Sequence, residues 1–391
     1  MPHHELRCAK LAAAKKLDMQ TPDVFVVADN IYSPLGATTA ENFAQLWRGI
    51  LGVQRHVDER LSPTPVFASL FSSPHGDDRY TKFESLLIAS ISDALQQSGI
   101  DASNDKTLLI ISTTKGNISL LETEDNTPEL HQRVALSTSA RMVAEHFRFT
   151  YTPLVVSNAC ISGVMAVITA MRLLRAGKYE NVVVSGADVI SKFIVSGFQS
   201  FQALSNGVCK PFDESRSGLN LGEGAATIIL STKKKHSGNI RVKGGAVSND
   251  ANHISGPSRT GDELGFAITQ SLKDAGLSAS DIGFISAHGT ATPYNDEMEA
   301  NAIRVAGLIE VPLNSLKGYY GHTLGAAGLI ESVVSLQSLR EGLIIGTPGF
   351  EQLGVSSAVN VCASPTQVNG RNFVKTASGF GGCNAAVVFG R

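Results

Sequence analysis

The cysteine in Asn158-Ala-Cys-Ile-Ser-Gly163 has the setting of a nucleophile. It falls where a strand-like run turns into a helix, so the unpaired N–H groups and positive dipole end of that helix are expected to stabilise a thiolate. Ala159, Ser162 and Gly163 are small and leave room for a substrate. A lone cysteine more often fills a core, but cores do not usually place one in such an elbow. Two histidines lie beside turns of Gly and Thr: His288 in Ser286-Ala-His-Gly-Thr-Ala-Thr292, and His322 in Lys317-Gly-Tyr-Tyr-Gly-His322. Strand ends of this type carry catalytic groups in α/β sheets, and with Lys317 nearby they suit acid–base or oxyanion work. His253, in the polar Asp250-Ala-Asn-His253 loop, is a weaker candidate. No helix carries HxxxH or HExxH, so no metal site is expected. Gly379-Phe-Gly-Gly-Cys-Asn384 lacks GxGxxG spacing and precedes a strand, so it reads as a turn offering a backbone N–H, with Phe380 as a plug.

These residues need a scaffold of alternating strands and helices. Strands are predicted at Val24–Val27, Leu108–Ser112, Leu154–Ser157, Asn181–Ser185, Ala226–Leu230, Gly283–Ala287, Val374–Ser378 and Ala385–Phe389. Helices are predicted at Thr39–Arg48, Phe83–Ser98, Ile161–Ala176, Asp262–Ala275, Asn295–Ala306 and Leu324–Glu341. Several strands are unbroken Val/Ile runs, as in sheets covered on both faces. The linker-like STKKKHSGN at 231–239 separates a half at 21–238 from one at 239–391, while residues 1–20 read as a loose extension or leader. Each half contains a strand, a tight turn with a reactive residue, and a helix rich in small residues. That repetition implies a duplicated architecture with the active site between the halves.

The chain has 391 residues, 43% of them apolar and 17% charged, which is enough for a large core and unlike a disordered protein. A net charge of -2 argues against a surface built for nucleic acid. Five cysteines without CxxC spacing indicate neither a disulfide framework nor zinc, and fit a reducing cytoplasm. No apolar run reaches membrane-spanning length.

The ordered set Asn158-Ala-Cys160, Lys210-Pro-Phe-Asp-xx-Arg216, Gly222-Glu-Gly-Ala225, Ala287-His-Gly-Thr-xx-Pro293-xx-Asp296, Lys317-xxxx-His322-xx-Gly-Ala-Ala-Gly328-xx-Glu331 and Gly379-Phe-Gly-Gly382 resembles the elongating β-ketoacyl-acyl-carrier-protein synthases. The resemblance runs from about Val24 to the C-terminus. It implies an α/β, thiolase-like fold with a duplicated five-layered α-β-α-β-α architecture. By the same resemblance Cys160 accepts an acyl group from a carrier's phosphopantetheine, and His288 and His322 promote decarboxylation of a malonyl extender and stabilise its enolate. Lys317 polarises the site with support from Glu331. The N–H groups of Cys160 and Phe380 form an oxyanion hole, and Phe380 gates the thiol. Thr290 and Thr292 hold the pantetheine arm, and Lys210 is a docking candidate for an acidic acyl carrier protein. No bound cofactor is implied.

The same resemblance implies a dimer, a homodimer first and a heterodimer with a related subunit as the alternative, with Asn181–Ser185 as the strand extending the sheet across the interface. Two other activities compete: a thiolase-type acyl-CoA acyltransferase, and a non-catalytic partner of a ketosynthase. The sequence departs from the family pattern at Asn158, Ile161, Cys383 and the loop Ser112-Thr-Thr-Lys-Gly-Asn117. Ile161 and Lys115 are therefore substrate-contact candidates. Lys115 either makes the acyl tunnel short and polar, or swings to the dimer interface.

Overall fold

Runs such as Leu108-Leu-Ile-Ile111 and Val182-Val-Val184 have no polar face, so a sheet made from them must be covered on both sides. The computed structural model, which describes residues 21–72, 79–236, 240–252 and 254–391, assembles them into a ten-stranded sheet. The extension at 1–20 and His253 lie outside the described residues. The strands are β1 (Phe25–Tyr32), β2 (Thr107–Ser112), β3 (Leu154–Val156), β4 (Asn181–Asp188), β5 (Gly224–Ser231), β6 (Arg241–Asn249), β7 (Phe284–Ser286), β8 (Leu313–Asn314), β9 (Asn372–Gly379) and β10 (Cys383–Gly390). The main helices are α1 (Thr39–Trp47), α2 (Lys82–Ser98), α3 (Pro128–Val134), α4 (Leu136–Phe147), α5 (Ser162–Arg175), α6 (Lys192–Ser200), α7 (Asp262–Ala275), α8 (Pro293–Val305) and α9 (Ala327–Glu341).

The strand order is β3-β2-β4-β5-β1-β6-β10-β9-β7-β8. Read outward from the centre, one half runs 1-5-4-2-3 and the other 6-10-9-7-8, the same topology twice. The pairing directions repeat as well: β1–β5 and β5–β4 are antiparallel, β4–β2 and β2–β3 parallel, and the second half follows suit. The halves meet where Phe25 pairs with Arg241, in a narrow seam of β1 and β6. The expected duplication is thus a property of the backbone.

Helices α5 and α9 touch each other and lie against strands of both halves, while α2 packs on β1, β4 and β5 and α7 on β6 and β10. This gives the five layers of a thiolase-like fold. The small residues of the central helices permit the close approach: a Cβ at Gly163 would stand 2.8 Å from the Leu329 nitrogen. Among the described residues, no helix is long and apolar enough to cross a membrane.

The strand assigned to a dimer edge is not an edge. β4 is fully buried and paired on both sides, with β2 and with β5; the open edge of this half is β3, where Leu154 is 41% exposed. A run of valines marks a strand sealed within a sheet as well as it marks an unpaired one. β6, α3, α4 and α6 were not predicted, and β1 continues to Tyr32 through Ala28-Asp-Asn30. The predicted helix beginning at Leu324 starts as a 3-10 turn, Leu324–Ala326, before α9.

Candidate active site

The nucleophile turn is built by local strain and a hydroxyl. Ala159 sits at φ 42°, a left-handed conformation that a side chain disfavours. The Ser162 hydroxyl fixes it by donating to the Ala159 carbonyl at 2.6 Å and accepting from the Asn158 N–H at 2.8 Å. Cys160 follows, a free, half-buried thiol at the start of α5. It lines a cavity of about 410 Å³ together with His288, His322, Thr290, Thr292 and Phe380. Burial pushes this thiol up to about 12, with Cys383 and Asp188 adding to the rise and Lys317 and Lys115 opposing it. Desolvation thus works against the thiolate expected from the helix start.

His288 follows the end of β7. Its N–H donates to Glu299 Oε1 at 2.8 Å and the Gly289 N–H to Glu299 Oε2 at 2.7 Å, so one carboxylate on α8 fixes the turn. His322 is placed by Gly321, whose φ of 66° with ψ of -177° only glycine adopts readily. The His322 N–H donates to the Asn220 carbonyl at 2.6 Å. The two rings stand edge to face, 5.2 Å between centroids. Burial first, then Lys317 and Lys375, holds both well below the ordinary imidazole range, and His322 also lowers His288. Both rings are neutral. Because His322 Nδ1 accepts from the Leu324 N–H at 3.3 Å, the ring proton belongs on Nε2, which makes that nitrogen a donor.

Lys317, fully buried, pairs with Glu331 and donates to the His288 carbonyl at 2.8 Å. Thr290 and Thr292 share a hydrogen bond at 2.9 Å on the cavity wall. Phe380 is 39% exposed at the mouth, stacked on Phe198 with centroids 5.8 Å apart and edge-on to Phe201 at 5.2 Å. The structure thus brings Cys160, His288, His322, Lys317, Glu331, Thr290, Thr292 and Phe380 together. Gly379 ties the two oxyanion candidates: a Cβ there would lie 2.9 Å from the Cys160 nitrogen.

Three candidates sit elsewhere. Ile161 is 1% exposed within the central hydrophobic cluster and does not line the cavity, because the turn aims it into the core. Lys115 is half-buried and off the cavity wall, although its charge reaches the Cys160 sulfur. Lys210 pairs at 3.8 Å with Glu351 on the surface.

Four buried charged residues near the site had no motif role: Asp188, Glu299, Lys375 and, though quoted in a motif, Asp296. Asp188 closes β4 and accepts from Thr113 Oγ1 at 2.8 Å, the N–H groups of Thr114 and Lys115 at 3.2 Å, and Gly325 at 2.7 Å. It joins the polar loop after β2 to the segment behind His322. Burial still raises it to about 6. Asp296 accepts from the N–H groups of Thr290, Ala291 and Phe212 at 2.8–3.0 Å and is also raised by burial to about 6. For Asp188 and Lys375 the one signal was a charge ending or interrupting an apolar strand, which must find a partner without the sequence saying which; Asp296 and Glu299, on a helix, carried none. Among the described residues, no three His, Cys, Asp or Glu side chains cluster so as to hold a metal ion.

The chain is similar to known proteins along most of its length. Residues 66–236 match the β-ketoacyl synthase N-terminal domain and residues 240–351 its C-terminal domain. It is 30% identical over 289 residues to a putative mitochondrial 3-oxoacyl-[acyl-carrier-protein] synthase of Schizosaccharomyces pombe, covering 67% of each chain. To 3-oxoacyl-[acyl-carrier-protein] synthase 2 of Mycobacterium tuberculosis it is 31% identical over 249 residues, 60% of each chain. Its fold is shared, at TM-score 0.84 and 24% identity over 95% of this chain and 98% of the other, by a solved complex of a ketosynthase with its chain length factor from Xenorhabdus doucetiae. Matched halves on either side of the seam, and a cysteine facing two histidines across it, lead to one assignment: the chain belongs to the β-ketoacyl synthase family.

Proposed function

We propose that the chain is a β-ketoacyl-[acyl-carrier-protein] synthase. The observation that carries this reading is the convergence of Cys160, His288 and His322 on one cavity. In the first step the Cys160 sulfur attacks the thioester carbonyl of an acyl carrier. The new thioester forms as the carrier thiol leaves, and that thiol takes the cysteine's proton. The N–H groups of Cys160 and Phe380 receive the oxyanion. In the second step malonyl carrier loses carbon dioxide, the His322 Nε2–H and His288 donate to the enolate oxygen, and the enolate carbon attacks the acyl-cysteine. The product leaves on the carrier, and the Cys160 thiolate released from the acyl group takes a proton from solvent. Thr290 and Thr292 hold the pantetheine arm at the cavity wall.

The test is mass mapping of acylated Cys160 after incubation with acyl carrier protein, followed by release of carbon dioxide from malonyl carrier. A chain that forms no acyl-Cys160 and releases no carbon dioxide would be the non-catalytic partner. One that makes or cleaves acetoacetyl-CoA would be a thiolase.

The acyl chain we assign is short, unsaturated or aryl rather than long and saturated. Supporting this are the phenylalanines that line the cavity and the Lys115 charge that reaches the Cys160 sulfur, although the Thr113-Thr-Lys115 loop held by Asp188 lies off the cavity wall. Efficient loading of long saturated chains would overturn the assignment, as would an unchanged chain profile in Lys115→Ile. We further assign a dimer paired at the β3 edge, where Leu154 and Tyr151 are exposed, and the cytoplasm as its compartment. The Xenorhabdus complex makes a related, non-identical partner as suitable as a second copy.

A further inference from the structure

Lys375 lies in the middle of β9 and is completely buried, yet belongs to none of the motifs. Burying an ammonium costs several kcal/mol unless charge and hydrogen bonds compensate it. Here they do. Its Nζ stands 2.5 Å from Glu331 Oε2 and donates to the Ser286 and Ala287 carbonyls at 3.1 and 3.0 Å. Lys317 occupies the other oxygen of Glu331 and donates to the next carbonyl, that of His288. Two ammonium groups that share one carboxylate thus hold the carbonyls of residues 286, 287 and 288. On the N–H side, Glu299 takes the His288 and Gly289 donors, and Thr376, the neighbour of Lys375, donates to Glu299 at 2.6 Å.

We propose that Lys375 is a positioning residue: with Lys317 across Glu331, it fixes the strand end that carries His288 and supplies a second cation behind both histidines. The inference rests on the decarboxylation reading above. The charged and titratable groups facing Lys375 are Glu331 from α9, Lys317 from the turn before His322, Glu299 from α8, and the two histidines. Both lysines lower both imidazoles. Removing one cation therefore moves the histidines back up toward their ordinary range, so the neutral, working form is lost at a higher pH.

The experiment compares the full-length parent with Lys375→Met, an uncharged chain of similar length. Carbon dioxide release from malonyl carrier is measured from pH 5 to 8, with circular dichroism and thermal melting as fold controls. Parent activity comes first, because a parent without decarboxylation overturns the functional reading, not this one. For folded Lys375→Met we expect kcat to fall by about 10- to 100-fold, as misplacing a reacting group does. KM should hold, and the acid limb should move up in pH. A parental kcat and parental acid limb overturn the proposal. If Lys375→Met does not fold, Lys375→Gln, which can still donate to the carbonyls, takes the same test with the same two outcomes for the acid limb. Lys375→Arg, which keeps the charge, should retain the parental limb; an upward shift there also counts against the charge role.

Discussion

The sharpest consequence of the geometry concerns His322. Its Nδ1 accepts from the Leu324 N–H, and burial with two lysines nearby keeps the ring neutral, so Nε2–H is a donor fixed before substrate arrives. Removing a donor of this kind costs about 2.7–4 kcal/mol of transition-state stabilisation, roughly 100- to 1,000-fold in rate. His322→Ala should show that loss in carbon dioxide release from malonyl carrier. The measurement is cleanest in a Cys160→Ala background, where acyl transfer no longer contributes. His322→Gln is the discriminating variant, because its amide nitrogen reaches the place of Nε2 while it can neither titrate nor act as a base. It should recover at least tenfold over His322→Ala. Decarboxylation within threefold of the parent in His322→Ala refutes the donor assignment. A His322→Gln no better than His322→Ala refutes the tautomer argument and returns His322 to a base.

Because both imidazoles are depressed, the parent's decarboxylation should stay flat as pH falls through the ordinary histidine value near 6.5 and drop only below it; a midpoint at or above 6.5 contradicts this. Gly163→Ala should destabilise the fold by about 1–3 kcal/mol, since the added carbon meets backbone at Leu329 and Gly325 that cannot step aside; melting temperature reads this directly. Asp188→Ala leaves the buried Gly325 N–H and the partly buried N–H groups of Thr114 and Lys115 without their carboxylate, at about 1–3 kcal/mol for each group left unsatisfied, and should lower the melting temperature further than Gly163→Ala does. Light scattering at micromolar concentration should give a dimer, and Leu154→Lys at the β3 edge should weaken it; a monomeric parent contradicts the assignment.

Much of this architecture was readable because duplication leaves its mark twice. The unbroken apolar strands and the small-residue helices after Ser157 and Leu324 are each tied to a reactive turn, and α7 falls at Asp262–Ala275 as its periodicity implied. What resisted reading was local sequence with little apolar bias. The Pro128–Val134 and Leu136–Phe147 helices bury only a few residues, and β6 contains Lys243-Gly-Gly245, which lowers strand propensity although β10 pairs along it. The edge was misplaced because valine content reports burial, not whether a neighbour supplies the hydrogen bonds. In the site, the motif residues were legible by their turns. The buried partners were not, since Glu299 and Lys375 acquire meaning only when β7, α8, β9 and α9 meet.

On the proposed reading, those partners account for donors that are neutral imidazoles with two buried lysines behind them. An imidazolium beside a malonyl carboxylate would bind the ground-state anion, and interactions equal in substrate and transition state do not speed the chemical step. Loss of carbon dioxide is favoured when the carboxylate finds no compensating charge while the nascent enolate oxygen finds donors. Lys317 and Lys375 meet both needs. Their own charges are absorbed by Glu331 and by the carbonyls of residues 286–288, and neither lysine lines the cavity. Their field nevertheless keeps the histidines from protonating. On this argument the lysines act by preventing a charge at the site, and that is why the pH profile, rather than the rate alone, is where their loss should be read.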